Sequence, residues 1–506
     1  MIDRLLQYPL IMILAGLMSM AMFIPALHAL WLDDHEVSRG FLYSGLLGLF
    51  FLLMSGFAMS GKIWMVNSDI ANLGHLFLAY TALPLFLAIP FHEAHLDKNY
   101  LNAYFEMVSC MTTTGATLFS DSSQLQETLH LWRGLVGWLG GLLLWISAAA
   151  VLAPLNIGGF EVTAPVETTS KGELTDRFSR AGPSKRLAQF TLQFAPVYIG
   201  LTGMLCIMLL YGGEAPLVAV MHAMSTISTS GISSSGGMGG SQTGMIGECM
   251  ILVFMLFALS RATFTYRGTS MSLAKLHQDH EFRTGLIFVF TIPFILFLSR
   301  GFGLLSIEGV HDALFIAKAF LAVTFTTLSF LSTTGFESAY WAEASDWLNL
   351  ETPGLILLGL SIIGGGVATT AGGVKLLRVY ALALNGRREI ERLVYPSSLA
   401  GAASVNRHLR RQGAFVAWIF FMMFALSLSL VSVTLAAMGH DFEHSIILAV
   451  AALSTTGPLT QFAPEVPIDL YSMSPAAKLV FNAAMILGRF ETLAIIALFN
   501  PDLWRN

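Results

Sequence analysis

Thr112-Thr-Thr-Gly-Ala-Thr117, Ser228-Thr-Ser-Gly-Ile-Ser233, Ser332-Thr-Thr-Gly-Phe-Glu337 and Ser454-Thr-Thr-Gly-Pro-Leu459 are four versions of one string. Their glycines, Gly115, Gly231, Gly335 and Gly457, are separated by 116, 104 and 122 residues. A short, half-hydrophobic segment precedes each string: Asn99–Met111, Ala215–Ser228, Ala313–Leu331 and Glu443–Leu453. These segments are too short or too polar to cross a bilayer comfortably, and they read as re-entrant half-helices. A further apolar span follows each string. Recurrence at this period predicts four copies of one unit around an axis.

The rest of the chain supplies the spans. Hydrophobic residues make up 55% and charged residues only 12%, with mean hydropathy +0.68. A surface of that composition needs lipid as its solvent. Stretches of roughly 20 apolar residues, enough to span a bilayer, recur. Examples are Pro9–Leu30, Phe41–Met59, Leu73–Phe91, Phe190–Leu210 and Gln412–Ala437. The first is long, with a minimal charged start (Asp3, Arg4) and no small-residue cleavage site, and reads as a retained span. The expected fold is an all-α polytopic membrane protein with four span–half-helix–loop–span units around one pore, plus two N-terminal spans. The boundaries are 1–65 for the leading spans, 66–160 for unit one and 161–265 for unit two with its preceding linker. Unit three, with an intramembrane glycine loop, is 266–390, and unit four is 391–506.

Charge placement orients the units. Pro154–Leu187 carries five basic residues, Arg261–Arg283 four and Lys375–Arg411 eight. With Arg4, Lys62 and Arg505, about 20 of the 27 Lys and Arg fall on one side. The opposite stretch Tyr211–Thr243 has none. The positive-inside rule then puts the N-terminus in the cytoplasm and the four glycine loops in the outer half of the membrane.

A pore must replace a cation's water with fixed oxygens, and rings of backbone carbonyls do so. Glycine reaches φ > 0 cheaply and helps successive carbonyls face one axis. Threonine and serine add hydroxyls, and a half-helix ending near the axis directs its negative dipole end at the ion. Any single string also fits a plain glycine-capped helix end; four in equivalent places do not fit coincidence. Cys110, Cys206 and Cys249 match no metal spacing or disulfide framework. There is no H-E-x-x-H, P-loop or nucleotide fingerprint, and no nucleophile–base set, so an enzyme is not expected. His28, His75, His130 and His222 near span ends read as polar tips at the interface.

With these strings stand Gly137-Trp-Leu-Gly-Gly141, Gly364-Gly-Gly-Val-Ala-Thr-Thr-Ala-Gly-Gly-Val-Lys375 and Gly488-Arg-Phe-Glu491. Together they resemble the Trk/Ktr/HKT superfamily of potassium transporters over nearly the whole chain. The two leading spans and the length favour its TrkH branch over the shorter KtrB type. The resemblance implies K+ as the transported ion, with no organic cofactor on this chain. It implies that the four glycines go with potassium selectivity. Ion sites would be lined by Thr113 and Thr114, Thr229 and Ser230, Thr333 and Thr334, and Thr455 and Thr456. It also implies a homodimer with one pore per chain, the bacterial inner membrane, and a cytoplasmic nucleotide-binding regulatory partner of the TrkA type. Three departures stand out: the polar extension Ser233–Gly240 after the second string, the acid Glu337 in the third, and Pro458, which lacks an amide donor, in the fourth.

Gly364, Gly365, Gly366, Thr369, Thr370, Gly372 and Gly373 interrupt the apolar segment Leu355–Leu384. Irregular backbone at membrane depth is tolerated where it lines a cavity. From the residues alone this is either a mobile obstruction or a static kink; the resemblance favours a gate below the filter. Arg489, inside the span Pro475–Phe499 with Asn482 on the same face, is costly in a membrane and is a functional candidate. It either faces the pore and holds the loop's carbonyls, or pairs with an acid on another helix. Glu491, two residues away, points elsewhere. Lys375 either ties the loop to a partner or snorkels to the inner surface. Glu106 and Lys318 read as packing or pairing residues. A proton- or sodium-coupled secondary transporter is the alternative: the broken helix and Arg489 fit it, and four parallel strings do not.

Overall fold

The computed structural model describes residues 8–59, 69–94, 99–119, 121–155, 183–260, 279–304, 313–394 and 413–490. Among these residues every regular element is helical. Most of the basic residues that orient the chain, and Glu491, lie outside the described residues.

The two leading spans are Leu10–Trp31, jointed at Met22, and His35–Met59. Four spans then open the repeated segments: Asp69–Thr81 continued by Leu83–Ala94, Pro183–Tyr211, His280–Leu304 and Ala414–Ala437. Four half-helices follow them: Tyr100–Met111, Pro216–Ser228, Ala313–Leu331 and Phe442–Leu453. Local chemistry starts the first two. The Asn99 side chain accepts the Leu101 amide at 3.0 Å, and Pro216 occupies the first helical position, where its missing N–H costs nothing. The third half-helix corrects an expectation. At 19 residues it is long enough to span by length alone, yet it ends in the same turn as the others.

The closing spans are Glu127–Leu152, Gly244–Leu259, Pro353–Ile363 with Leu376–Val394 beyond a loop, and Pro475–Phe490. Burial separates inner from outer helices. Glu127–Leu152 is 78% buried over its apolar window, whereas His280–Ser299 is 17% buried. The outer helices present Leu192, Ile199, Phe290, Phe294, Phe415 and Leu430 outward. An apolar exterior of this kind is matched to lipid tails, not to water.

Small residues let the inner helices approach the half-helix ends. A side chain at Gly140 would collide with the Met111 carbonyl oxygen, and one at Gly488 with that of Leu453. Met111 and Leu453 occupy the same place in units one and four, four residues before Gly115 and Gly457. The Gly137–Gly141 motif and Gly488 are therefore packing surfaces for half-helix termini. Gly140→Ala is expected to cost about 1–3 kcal/mol by overpacking, with a lower melting temperature in detergent. Gly200→Ala, inside a helix with nothing within 4 Å of the new Cβ, is the control and should melt at or slightly above the parent.

Candidate ion-conduction site

All four half-helices end alike. The amides of Thr114, Ser230, Thr334 and Thr456 return to the carbonyls of Ser109, Ser225, Ser329 and Ala451, at 2.9, 3.0, 2.8 and 2.9 Å. This six-to-one bond marks a Schellman end, whose left-handed residue is ordinarily glycine. Here it is threonine each time: Thr113 (φ 53°), Thr229 (51°), Thr333 (57°) and Thr455 (54°). A β-branched residue in that region is a true outlier, costing of the order of 1–3 kcal/mol. Four at equivalent positions mean that the side chain is needed there.

A second bond also repeats. The hydroxyl three residues before each glycine meets the one just before it. These pairs are Thr112–Thr114 (2.8 Å), Ser228–Ser230 (3.0 Å), Ser332–Thr334 (2.9 Å) and Ser454–Thr456 (3.1 Å). The hydroxyls of Thr114, Ser230, Thr334 and Thr456 are thus tied back into their own loops. Among the described residues no donor reaches the carbonyls of Thr113, Thr229, Thr333 or Thr455. Those carbonyls are free to act as acceptors for a cation, next to four negative helix ends.

The loops close into a ring. A Cβ on Gly115 would strike the Ser230 carbonyl, and one on Gly231 the Thr334 carbonyl. One on Gly335 would lie 2.7 Å from Pro458 Cγ, and one on Gly457 would strike the Ala116 amide. Each glycine therefore borders the next loop, and the fourth returns to the first. The fourth loop departs from expectation. Gly115, Gly231 and Gly335 have positive φ, but Gly457 does not. Its amide donates to the Thr114 carbonyl at 2.6 Å, and the Pro458 ring reaches the Gly231 side, 2.8 Å from a Cβ built there. The fourth loop thus touches all three others.

Three of the four ring segments are braced from behind. Glu106 accepts the Thr117 hydroxyl (2.9 Å) and the Leu118 amide (2.6 Å) and pairs with Arg133 at 3.0 Å, both side chains being buried. Glu106 is a pairing residue, as expected. His222 lies nine residues before Gly231, as Glu106 does before Gly115, and contacts the Ser233 hydroxyl at 3.0 Å. It is fully buried beside the second loop, not a polar tip at the interface. His28 and His130 do find polar partners, Thr128 Oγ1 and the Ser122 carbonyl. Glu248 accepts the Ser338 hydroxyl and the Ala339 amide, both at 2.7 Å, and braces the third loop. Sequence reading missed Glu248 and Arg133. Both lie within apolar spans, and a charge there is a signal in itself. Lys318 Nζ stands 5.2 Å over the Tyr340 ring.

On the side where the half-helices end, the glycine-rich stretch lies against the ring. The Gly372 amide donates to Thr333 Oγ1 at 2.7 Å, and Thr370 Oγ1 to the Ile227 carbonyl at 3.2 Å. A Cβ on Gly372 would collide with the Ser454 carbonyl and Thr455 Oγ1. Gly364 and Gly373, with φ of 74° and 76°, make the turns where the stretch leaves and rejoins its helices, and Gly365 and Gly366 press on the Ala258 and Leu259 carbonyls. Thr369 Oγ1 closes a local turn onto Gly366 O at 2.8 Å. The stretch contacts loops two, three and four from below.

Arg489 holds this stretch: its guanidinium donates to the Thr370 carbonyl at 2.8 Å. Among the described residues it has no acidic partner. Its Nε and second terminal nitrogen, like both side-chain polar atoms of Asn482, are buried without a hydrogen-bond partner. Arg489 lines a small cavity of about 30 Å³ with Thr369, Gly372, Gly373, Lys375 and Leu144. Lys375 corrects an expectation. It does not extend to the inner surface but is buried, with φ 86°, and its Nζ turns back to the Ala371 carbonyl.

Known proteins share this architecture. The family model described as "TrkH: Cation transport protein" matches residues 79–505. The Trk system potassium uptake protein TrkH of Vibrio parahaemolyticus is 29% identical over 444 residues, covering 85% of each chain. That of Escherichia coli K12 is 28% identical over 433 residues, again covering 85% of each. The crystal structure of the potassium transporter TrkH from Vibrio parahaemolyticus superposes with a TM-score of 0.80 at 25% identity, covering 99% of both chains. The ring of four loops, the helices that carry it and the match over most of the length lead to one assignment: this chain is a membrane transporter, not an enzyme, and belongs to the TrkH family of cation transport proteins.

Proposed function

We propose that this chain takes up potassium across a bacterial inner membrane, with its N-terminus in the cytoplasm. Potassium would pass through the ring formed by the strings around Gly115, Gly231, Gly335 and Gly457. One observation carries the reading: four left-handed threonines, each a strained choice, bear carbonyls that no donor among the described residues satisfies. Potassium would exchange its water for the carbonyls and hydroxyls of Thr113, Thr229, Thr333 and Thr455 and for the carbonyls next to the glycines. The Gly457 amide already holds the Thr114 carbonyl, so an ion at that level displaces this bond.

Below the ring, the stretch Gly364–Gly373 obstructs the path and Arg489 latches it. A guanidinium with two unpaired nitrogens repels cations and prefers a carbonyl partner, so it favours the closed arrangement. Opening then requires the Arg489–Thr370 bond to break and the stretch to swing on its two left-handed glycines. Named relatives belong to a Trk system, which supports association with further components; in this reading the chain is a homodimer and its partner is a TrkA-type nucleotide-binding protein on the cytoplasmic side.

Two measurements test this. In liposomes holding the purified chain, Arg489→Ala and removal of residues 366–371 should each raise rubidium flux roughly tenfold, the effect of about 1.4 kcal/mol taken from the closed state. Flux unchanged by both rules out the gate, and flux strictly dependent on a proton or sodium gradient favours a coupled carrier. Thr455→Gly should relieve left-handed strain of about 1–3 kcal/mol against a glycine entropy cost of roughly 0.5–1. Its melting temperature should therefore hold or rise while potassium-over-sodium discrimination falls. A clear drop in melting temperature would contradict the strain account, and unchanged discrimination would contradict the side chain's role.

A further inference from the structure

The buried acids around the ring are each supplied with donors. Glu106 has Thr117, Leu118 and Arg133; Glu248 has Ser338 and Ala339. Glu214, in the outer loop of unit two, accepts the hydroxyls of Ser241 and Thr243 and the amides of Gln242 and Ala215. Glu337 is the exception. It is half-buried two residues beyond Gly335, and among the described residues no donor reaches its carboxylate. Half-burying a charged carboxylate without donors is costly unless a proton neutralises it or a charge from outside compensates it.

Its neighbours fix where it points. The buried Phe336 ring packs edge-on to His222 at 5.4 Å. Ser338 donates its hydroxyl to Glu248 and its amide to Thr326 Oγ1 at 3.3 Å. With the residues on both sides buried in the protein, Glu337 is the one of the three that keeps access to solvent. The matching positions in the other loops are Thr117 and Ser233, both hydrogen-bonded to their half-helices, and the buried Leu459. At this level of the ring Glu337 carries the only charge among the four.

We propose that Glu337 and the outer rim of the ring form an entry site for a monovalent cation, where potassium and protons compete for one carboxylate. The site rests on the conduction reading and adds to it a recognition step ahead of the ring. Burial pushes the Glu337 carboxyl up to about 7. Without a cation its charge is therefore present above about pH 7 and lost as pH falls through that value; a bound cation pulls the carboxyl back down. The ionisable groups on the neighbouring elements are Glu248 on the unit-two span, which holds Ala339, His222 on the second half-helix, which meets Phe336, Lys318 on the third, which stands over Tyr340, and Glu343 on the helix Trp341–Leu348; burial alone, and none of these charges, accounts for the Glu337 shift.

The test is rubidium uptake into proteoliposomes at fixed internal pH, with external pH varied from about 8 to 6 across the Glu337 titration. The half-saturating rubidium concentration should rise about three- to tenfold, the effect of one partly screened charge at contact range, while the maximal rate stays constant. Glu337→Gln should sit at the high value at every pH, and Glu337→Asp should keep the pH dependence. A half-saturation independent of pH in the parent chain overturns the site. So does a Glu337→Gln chain that retains the parent's pH dependence, or protons that lower only the maximal rate. The parent's pH series decides even where Glu337→Gln does not assemble. Absence of rubidium flux at any pH removes the conduction reading and the site together, a different result from flux that ignores pH.

Discussion

Four helix C-termini meet at the centre of this molecule, and backbone that leaves a helix inside a membrane must account for every carbonyl it frees. Lipid offers no donors, so each freed group is paired within the protein or turned toward something that enters. The Schellman bonds to Ser109, Ser225, Ser329 and Ala451 satisfy the last turns. The hydroxyl pairs from Thr112–Thr114 to Ser454–Thr456 lock the following residue. What remains unpaired is a set of carbonyls around one ring. The rest of the fold serves that arrangement: Gly140 and Gly488 let spans close against the helix ends, and Glu106, His222 and Glu248 pin the exits of three loops.

The ring was legible in the sequence because its signal is repetition. Four Thr/Ser-Gly strings at similar spacing, each behind a half-length apolar segment, leave few other architectures. The local conformation was less legible. A helix end asks for glycine at its left-handed residue, so the repeated glycine of each string invites that role. The structure puts threonine there, two residues earlier, and Gly457 never adopts positive φ. That inversion is strain held by surrounding packing, and propensity rules describe the unstrained case. Glu248 and Lys375 show the other limit. Glu248 meets Ser338 across 90 residues of sequence, and Lys375 folds back four residues within the loop it closes. Neither partner is written in the periodicity of the helix that carries the charge. Arg489 lay between these cases: a charge midway along an apolar span announced itself, but its carbonyl partner, 119 residues away, did not.

Apart from the polar extension Ser233–Gly240 of unit two, the departures from four-fold symmetry gather on units three and four. Unit three contributes the interrupted span, and unit four the arginine that holds it. Unit four also contributes the one loop that reaches all three others through the Gly457 amide and the Pro458 ring. Units one and two supply the more regular wall.

Repetition explains how one position came to hold that arginine. Gly140 in unit one and Gly488 in unit four both meet the carbonyl four residues before their ring glycine. The next residue in each span therefore occupies an equivalent place, facing inward just below the ring. In unit one it is Gly141, pressed against Ser228 and the Tyr198 hydroxyl, where a side chain has no room. In unit four it is Arg489, and the space it enters is the small cavity under the interrupted span of unit three. A glycine there closes the wall, and an arginine there bonds the Thr370 carbonyl of the interrupted span. A scaffold built four times over thus carries an asymmetric contact at one repeated packing position, with the ring above left nearly symmetric.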